Sequence, residues 1–137
     1  YRLKLYGTQD YLDRHPPITG TEDLSAHDFI SYIDDLIQLP ELRFLDLVIK
    51  DPHVVFRSTS VLAQYNAALD GIGLSVIHCF MANQEPRLIP ILPEEISINR
   101  EYWLVVHEDL RQVARVDAVC RFLTRLLKDQ RQNMMES

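Results

Sequence analysis

Along the 137-residue chain, apolar runs typical of strands alternate with apolar residues at helical spacing. Continuous or alternating apolar runs predict strands at residues 3–5, 29–33, 42–49, 54–56, 74–77, 88–92 and 102–106. Helical spacing predicts short helices at 9–12 and 21–24, a longer helix at 61–72 and an amphipathic helix at 116–127. Strands that alternate with helices are typical of an α/β fold, here a mostly parallel sheet flanked by helices.

Local signals place several ends of these elements. Thr8 and the hydroxyl cluster at 58–60 stand where N-caps open helices. Gly71 and Gly73 close the longer helix and turn the chain into the next strand. Pro90 favours an edge strand or a crossover segment over a central strand. Residues 34–40 have no clear pattern and are interpreted as a loop with at most one turn.

Composition narrows the classes of function. The 14 basic and 20 acidic residues give a formal charge of −6, and no basic cluster is present for gripping DNA phosphates. No apolar run is long enough to cross a membrane. Cys79 and Cys120 lie inside apolar runs and are interpreted as buried thiols of a cytoplasmic protein. The chain is long enough for one domain, and the missing initiator Met suggests a start inside a longer polypeptide.

The most informative polar cluster is Ser58, Thr59 and Ser60. Three hydroxyls at a helix start lie beside unpaired backbone N–H groups and the positive end of the helix dipole, which suits a carboxylate or another anion. The alternative is that one hydroxyl only caps the helix. Both interpretations remain open from the residues alone.

Catalytic and metal sites are not indicated. His78 and Cys79 are adjacent, so their side chains point to opposite faces of a strand, and no zinc-ligand spacing is present. His107 and Glu108 are interpreted as a solvated strand end. The chain has no phosphate-binding glycine loop or nucleophile elbow. We therefore expect no enzyme activity, no metal and no cofactor.

Four segments resemble the sensing domains of LysR-type transcriptional regulators. They are Asp23 to Ile30, which contains the "DLxxHxxI" pattern, Arg57 to Leu74, Tyr102 to His107 and Val116 to Leu123. Tyr11 and Leu12 also fit, and the segments follow in the family's order. One departure is His78, which stands where many members have proline.

The resemblance implies a type 2 periplasmic-binding-protein-like fold, in which a small effector binds between two subdomains. Residues 1–100 would form the second subdomain, and residues 101–137 a return strand and C-terminal helix that pack on the first. The winged helix-turn-helix that binds DNA would lie outside this chain. The resemblance places Ser58, Thr59 and Ser60 on the effector cleft, with Tyr32 and His78 as further candidates. It also implies a homo-oligomer.

Three alternative functions are consistent with such a domain. The first is a small-molecule sensing domain that controls DNA binding and transcription in a full-length regulator. The second is a stand-alone solute-binding domain related to periplasmic receptors, against which the absence of a signal peptide counts. The third is an enzyme, for which no convergent acid, base or nucleophile is found. The sequence favours the first.

Overall fold

A computed structural model describes residues 1–36 and 42–135, apart from the side chain of Asn133. In these ranges the strands are β1 (Arg2–Thr8), β2 (Asp28–Ser31), β3 (His53–Arg57), β4 (Leu74–His78), β5 (Leu88–Ile91) and β6 (Ile98–Asn99). The helices are α1 (Gln9–Leu12), α2 (Val61–Leu69), α3 (Cys79–Ala82), α4 (Ala114–Asp129) and α5 (Arg131–Met135). The predicted α/β class is confirmed.

The strands form one mixed sheet in the order β3-β2-β4-β1-β5, with β6 paired to β1. β2 runs parallel to β3 and β4, whereas β1 runs antiparallel to β4, β5 and β6. The expected parallel arrangement therefore holds for three strands only. Apolar runs indicate that a strand is buried and carry no information on its direction, which explains the difference. Pro90 lies in β5 at the end of the strand order, as its proline predicts.

The turn between α2 and β4 depends on two glycines. Gly71 has φ +66°, a left-handed conformation that glycine adopts without strain. A Cβ at Gly73 would lie 2.8 Å from the carbonyl oxygen of Asp28. The glycine therefore permits β4 to begin close against the start of β2, and the predicted turn is confirmed.

Apolar side chains pack on both faces of the sheet. One cluster joins Leu5, Tyr11 and Phe29, and a second joins Tyr6, Ile30 and Ala68. Consecutive residues of β1 and β2 thus point into opposite clusters, as the strand period requires. These two strands are central in the sheet, so both of their faces are covered.

The strand predicted at residues 42–49 is wrong. The chain instead forms a 3-10 turn at Leu45–Leu47, preceded by buried Phe44 and followed by Val48 and Ile49, which pack on the core. Two consecutive buried residues followed by exposed ones fit a turn rather than the alternation of a strand. β2 also ends at Ser31. Of the loop predicted at 34–40, Asp34–Leu36 forms a 3-10 turn and the rest lies outside the described residues.

The strand predicted at residues 102–106 is also wrong. This segment has no regular structure, and Trp103 and Val105 are 81% and 84% exposed. A strand needs a partner, and the described residues provide none here. The predicted amphipathic helix is present as α4, but its apolar side chains are not buried against the described parts of the chain. After α4, the chain continues as the short helix α5.

Candidate functional site

The carboxyl ends of the three parallel strands meet at one edge of the sheet. Ser31 pairs with Arg57, and the N–H of Ser58 donates to the carbonyl of Ser31 at 3.0 Å. β4 ends at His78. This arrangement places the predicted residues Tyr32, His78 and the 58–60 cluster along one edge, which we call the carboxyl edge. Ligands of open α/β sheets bind outside such edges.

The residues between β3 and α2 form a capped turn. The Ser60 hydroxyl accepts from the N–H of Ala63 at 3.3 Å, and the Ser58 hydroxyl accepts from the N–H of Ser60 at 3.1 Å. The buried side chain of Gln64 donates to the Ser58 carbonyl at 2.7 Å, which holds the turn against the helix. Ser60 is therefore the N-cap of α2, as one interpretation of the sequence holds.

Thr59 differs from its two neighbours. Its side chain is exposed and makes no hydrogen bond to any of the described residues. It lies just before the N-terminus of the nine-residue α2, where backbone donors and the helix dipole favour an anion. Of the three hydroxyls, that of Thr59 is the one left available to a ligand.

His78 lies in a cluster of aromatic rings at the same edge. Its ring stacks on Tyr1 with 5.2 Å between centroids and lies 5.2 Å from Phe80 and 6.5 Å from Phe44. Burial lowers the pKa of His78, so the imidazole is neutral at neutral pH. Its Nδ1 has no hydrogen-bond partner within residues 1–36 and 42–135. The ring thus combines packing surface with an unused polar atom.

Tyr32 extends this cluster towards β3. Its ring lies 6.5 Å from that of Phe44, edge to face, and burial raises the pKa of its hydroxyl. Its carbonyl accepts from Arg57, whose guanidinium also pairs with Asp34 at 2.7 Å. Arg57 is therefore engaged by the loop that follows β2.

Several residues of the carboxyl edge escape prediction from the sequence. β1 runs antiparallel to its neighbours, so Tyr1 arrives at the edge beside His78, and the two-residue β6 brings Arg100 there. Tyr1 and Arg100 exchange two backbone hydrogen bonds, of 2.7 and 2.9 Å. These contacts join residues 99 positions apart, and no local pattern signals them.

The histidine of the DLxxHxxI pattern, His27, lies at the opposite edge of the sheet, where its role is structural. His27 is fully buried, and its Nδ1 lies 3.2 Å from the hydroxyl of Tyr11. His15 and His53 lie around the neighbouring carboxylate of Asp28. No group of three or more candidate ligands in the described ranges could hold a metal ion.

Two further observations concern membrane spans and cysteines in the part of the chain that the structure describes. Among the described residues, no helix is both long and apolar enough to cross a membrane. Cys79 is buried and Cys120 only half-buried, so the expectation of two buried thiols holds for the first.

The fold resembles that of known regulatory domains. The regulatory domain of CrgA, a LysR-type transcriptional regulator from Neisseria meningitidis, matches with 21% identity over 92% of this chain and 64% of that chain, at a TM-score of 0.66. The regulatory domain of AphB in Vibrio vulnificus matches with 19% identity over 72% of this chain and 51% of that one, at a TM-score of 0.55. The chain thus spans less than two thirds of each.

Sequence comparison identifies the family. No curated protein matches the chain. The family model described as the LysR substrate binding domain matches residues 1–128. This match includes every strand, the capped turn at 58–60 and nearly all of α4, so the resemblance drawn from the four sequence segments is confirmed. The chain belongs to the LysR substrate binding domain family.

Proposed function

We propose that this chain is the effector-sensing part of a LysR-type transcriptional regulator, and that it binds a small anion at the carboxyl edge. The observation that carries the proposal is the meeting of Tyr32, His78 and the turn with Thr59 at the ends of three parallel strands. This is where α/β sheets bind ligands. The unused Thr59 hydroxyl and the N-terminus of α2 favour a negatively charged group there.

The domain organisation is part of the same proposal. Residues 1–100 form one wall of an effector cleft, and residues 101–137 pack on a second subdomain that forms the other wall. The exposure of Trp103, Val105 and the apolar face of α4 supports a missing partner surface. So does the coverage of 64% of the CrgA regulatory domain, since a third of that domain has no counterpart here.

In this mechanism, the effector acts by binding two arrangements of the subdomains with different affinity. Closure around the effector then raises the population of the closed arrangement. This shift changes how the DNA-binding domains of the dimeric regulator are arranged on DNA. DNA is contacted only through a separate N-terminal domain, and the regulator works in the cytoplasm as a homo-oligomer. The chain senses its ligand without turning it over.

The proposal is tested first by ligand binding. We would screen small carboxylates and phosphates for those that raise the melting temperature of the chain, and repeat each positive with Thr59→Val. The expected result is a ligand whose stabilisation falls in Thr59→Val and persists in the matched control Thr124→Val on α4. Failure of every anion to stabilise the chain would reject an anion site at the edge.

A second experiment tests the regulator itself. Mass spectrometry of the native polypeptide that contains this segment gives its length and its N-terminal peptides. A longer protein that begins with a winged helix-turn-helix supports the regulator. A polypeptide with an export leader instead supports the alternative of a stand-alone solute-binding protein.

A further inference from the structure

Gln64 is a polar side chain on the buried face of α2. It is 5% exposed and lies on the same face of the helix as the core residues Ala67 and Ala68. Core packing alone would favour an apolar residue here, because a buried amide is costly unless it is hydrogen-bonded. Its Nε2 donates to the backbone carbonyl of Ser58 at 2.7 Å, which joins the helix to the turn before it.

The backbone of Ser58 is held on both sides. Its N–H donates to the carbonyl of Ser31, the last residue of β2, at 3.0 Å, and its own carbonyl accepts from Gln64. One bond ties Ser58 to the sheet and the other ties it to α2. Together they fix the orientation of the peptide group that links Ser58 to Thr59.

This orientation determines where the N–H of Thr59 points. A trans peptide group is planar, and its N–H points in the direction opposite to its carbonyl. Because the Ser58 carbonyl points at the buried amide of Gln64, the N–H of Thr59 points away from it, on the exposed side of the turn. Among the described residues this N–H has no acceptor.

The N–H of Thr59 adds to the donors at the start of α2. The first N–H groups of a helix have no intrahelical acceptor, and the Ser60 hydroxyl takes only that of Ala63. Successive outward N–H groups of this kind attract an anion. If the peptide group turned over, the Ser58 carbonyl would face the anion instead, and an attraction would become a repulsion.

We propose that Gln64 is the positioning residue of the anion site at the carboxyl edge. By holding the Ser58 carbonyl, its amide keeps the N–H of Thr59 turned towards the ligand, which Gln64 itself does not touch. The inference rests on the proposed binding of a small anion at this turn. It explains why an amide occupies a core position of α2.

The first test removes the donor of Gln64. Sulfate and formate, which both stay charged above about pH 5, are titrated into the isotope-labelled 137-residue chain, and the Thr59 amide resonance is followed by NMR. We expect saturable binding that shifts this resonance. Gln64→Met keeps the length of the side chain but has no donor, and should weaken both anions about fivefold or more.

Two control variants separate positioning from stability. Gln9→Met makes the same chemical change on exposed α1, at the opposite edge of the sheet, where Gln9 bonds only Asp13. Ala68→Gly destabilises α2 without touching the turn. Both should bind the anions as the unchanged chain does, with circular dichroism establishing that each variant is folded. A loss in Ala68→Gly equal to that in Gln64→Met would overturn the inference.

Gln64→Glu makes the donor depend on pH. A protonated carboxyl donates to the Ser58 carbonyl, whereas a carboxylate repels it, and burial raises the pKa of the introduced carboxyl above its ordinary value of about 4.3. We expect this variant to bind nearly as the unchanged chain does at about pH 5, and progressively more weakly as the pH rises to about 8. An equal loss at every pH would show that packing matters instead of the donor, and would overturn the inference.

The outcomes also separate this inference from the proposed function. Anions that bind the unchanged chain and Gln64→Met equally leave the sensing function standing and reject Gln64 as its positioning residue. Absence of sulfate and formate binding up to about 50 mM also rejects the inference, whichever larger ligand stabilises the chain. If the screen of carboxylates and phosphates fails as well, both proposals fail.

Discussion

His27 is a titratable side chain enclosed by other titratable groups. It is 1% exposed, and its Nδ1 lies 3.2 Å from the Tyr11 hydroxyl, which also accepts the backbone N–H of Asp28 at 2.8 Å. The ring of His15 lies 5.8 Å away, and the Asp23 carboxylate belongs to the preceding turn. The hydrogen bonds through Tyr11 therefore join α1 to the start of β2 at a buried imidazole.

This burial predicts a loss of stability in acid. Burial lowers the pKa of His27, and the neighbouring His15 lowers it further, so the unfolded chain takes up the proton at a higher pH. The stabilisation is present above the unfolded value of about 6.5 and is lost as the pH falls through the lower folded pKa.

We expect the free energy of unfolding in urea to decrease between pH 7.5 and 5.0, with His27 contributing at most about 1.4 kcal/mol per pH unit. His27→Gln should flatten this dependence, whereas exposed His107→Gln should leave it unchanged. An equally steep decrease in His27→Gln would show that groups other than His27 carry the acid sensitivity.

At the residue scale, prediction succeeds where the cause is local. The cap by Ser60 and the turn at Gly71 depend on neighbours within a few positions, and both are predicted correctly. Arg100 and Tyr1 are missed because they meet through strand pairing across almost the whole chain. That His78, Tyr32 and the 58–60 cluster bind an effector stays a prediction.

At the scale of elements, the start of α2 carries one hydroxyl that caps the helix and one that is free to bind a ligand. Ser60→Ala removes the N-cap bond to Ala63 and is expected to lower the free energy of unfolding by about 1 kcal/mol. Thr59→Ala removes no bond to a described residue and should change it by less than about 0.5 kcal/mol. Urea unfolding of both variants is the measurement. A large loss in Thr59→Ala would indicate that Thr59 has a structural role and weaken its assignment to a ligand.

The segment around Trp103 is the place where the apolar pattern and the structure disagree on burial, and this disagreement can be tested. The apolar run predicts a buried strand, whereas the structure leaves this tryptophan 81% exposed. We expect acrylamide to quench its fluorescence nearly as strongly as that of free tryptophan, with little change on unfolding in urea. Weak quenching that rises on unfolding would show that the segment is buried in solution, as the pattern predicts.

Elements whose partners lie within the chain are predicted best. Five elements show a clear apolar pattern and also have the elements they pack against within this chain. All five form: β1, β3, β4, β5 and α2. The run at 42–49 fails because apolar residues in a short stretch fit a buried turn as well as a strand. The run at 102–106 fails for another reason, since the chain described here offers it no strand to pair with.

For the whole molecule, the class of fold is predictable and the strand directions are not. The alternation of strands and helices indicates an α/β sheet, and the family resemblance indicates the periplasmic-binding-protein-like fold that the comparisons support. The reversed direction of β1 depends on how distant strands pair. It also decides which residues reach the carboxyl edge, so the meeting of Tyr1 and Arg100 there is not signalled by any local sequence pattern.

The exposed apolar face of α4 leads to the last prediction, at the scale of the whole molecule. Phe122 is 63% exposed, and Val119 and Leu126 lie exposed on the same face. Contiguous exposed apolar surface of this kind favours contact with another protein surface. We expect the purified chain to self-associate, so that its mass by light scattering rises with concentration. Phe122→Glu should shift it towards the monomer because a buried charge disfavours the contact.

Lys128→Gln changes the net charge by the same amount on the opposite side of α4 and is the matched control. It should associate as the unchanged chain does, because the apolar face remains. A monomer at every concentration would count against this face as a contact between copies of the chain. Association that persists in Phe122→Glu would place the contact elsewhere, with the exposed edge strand β3 as the surface to alter next.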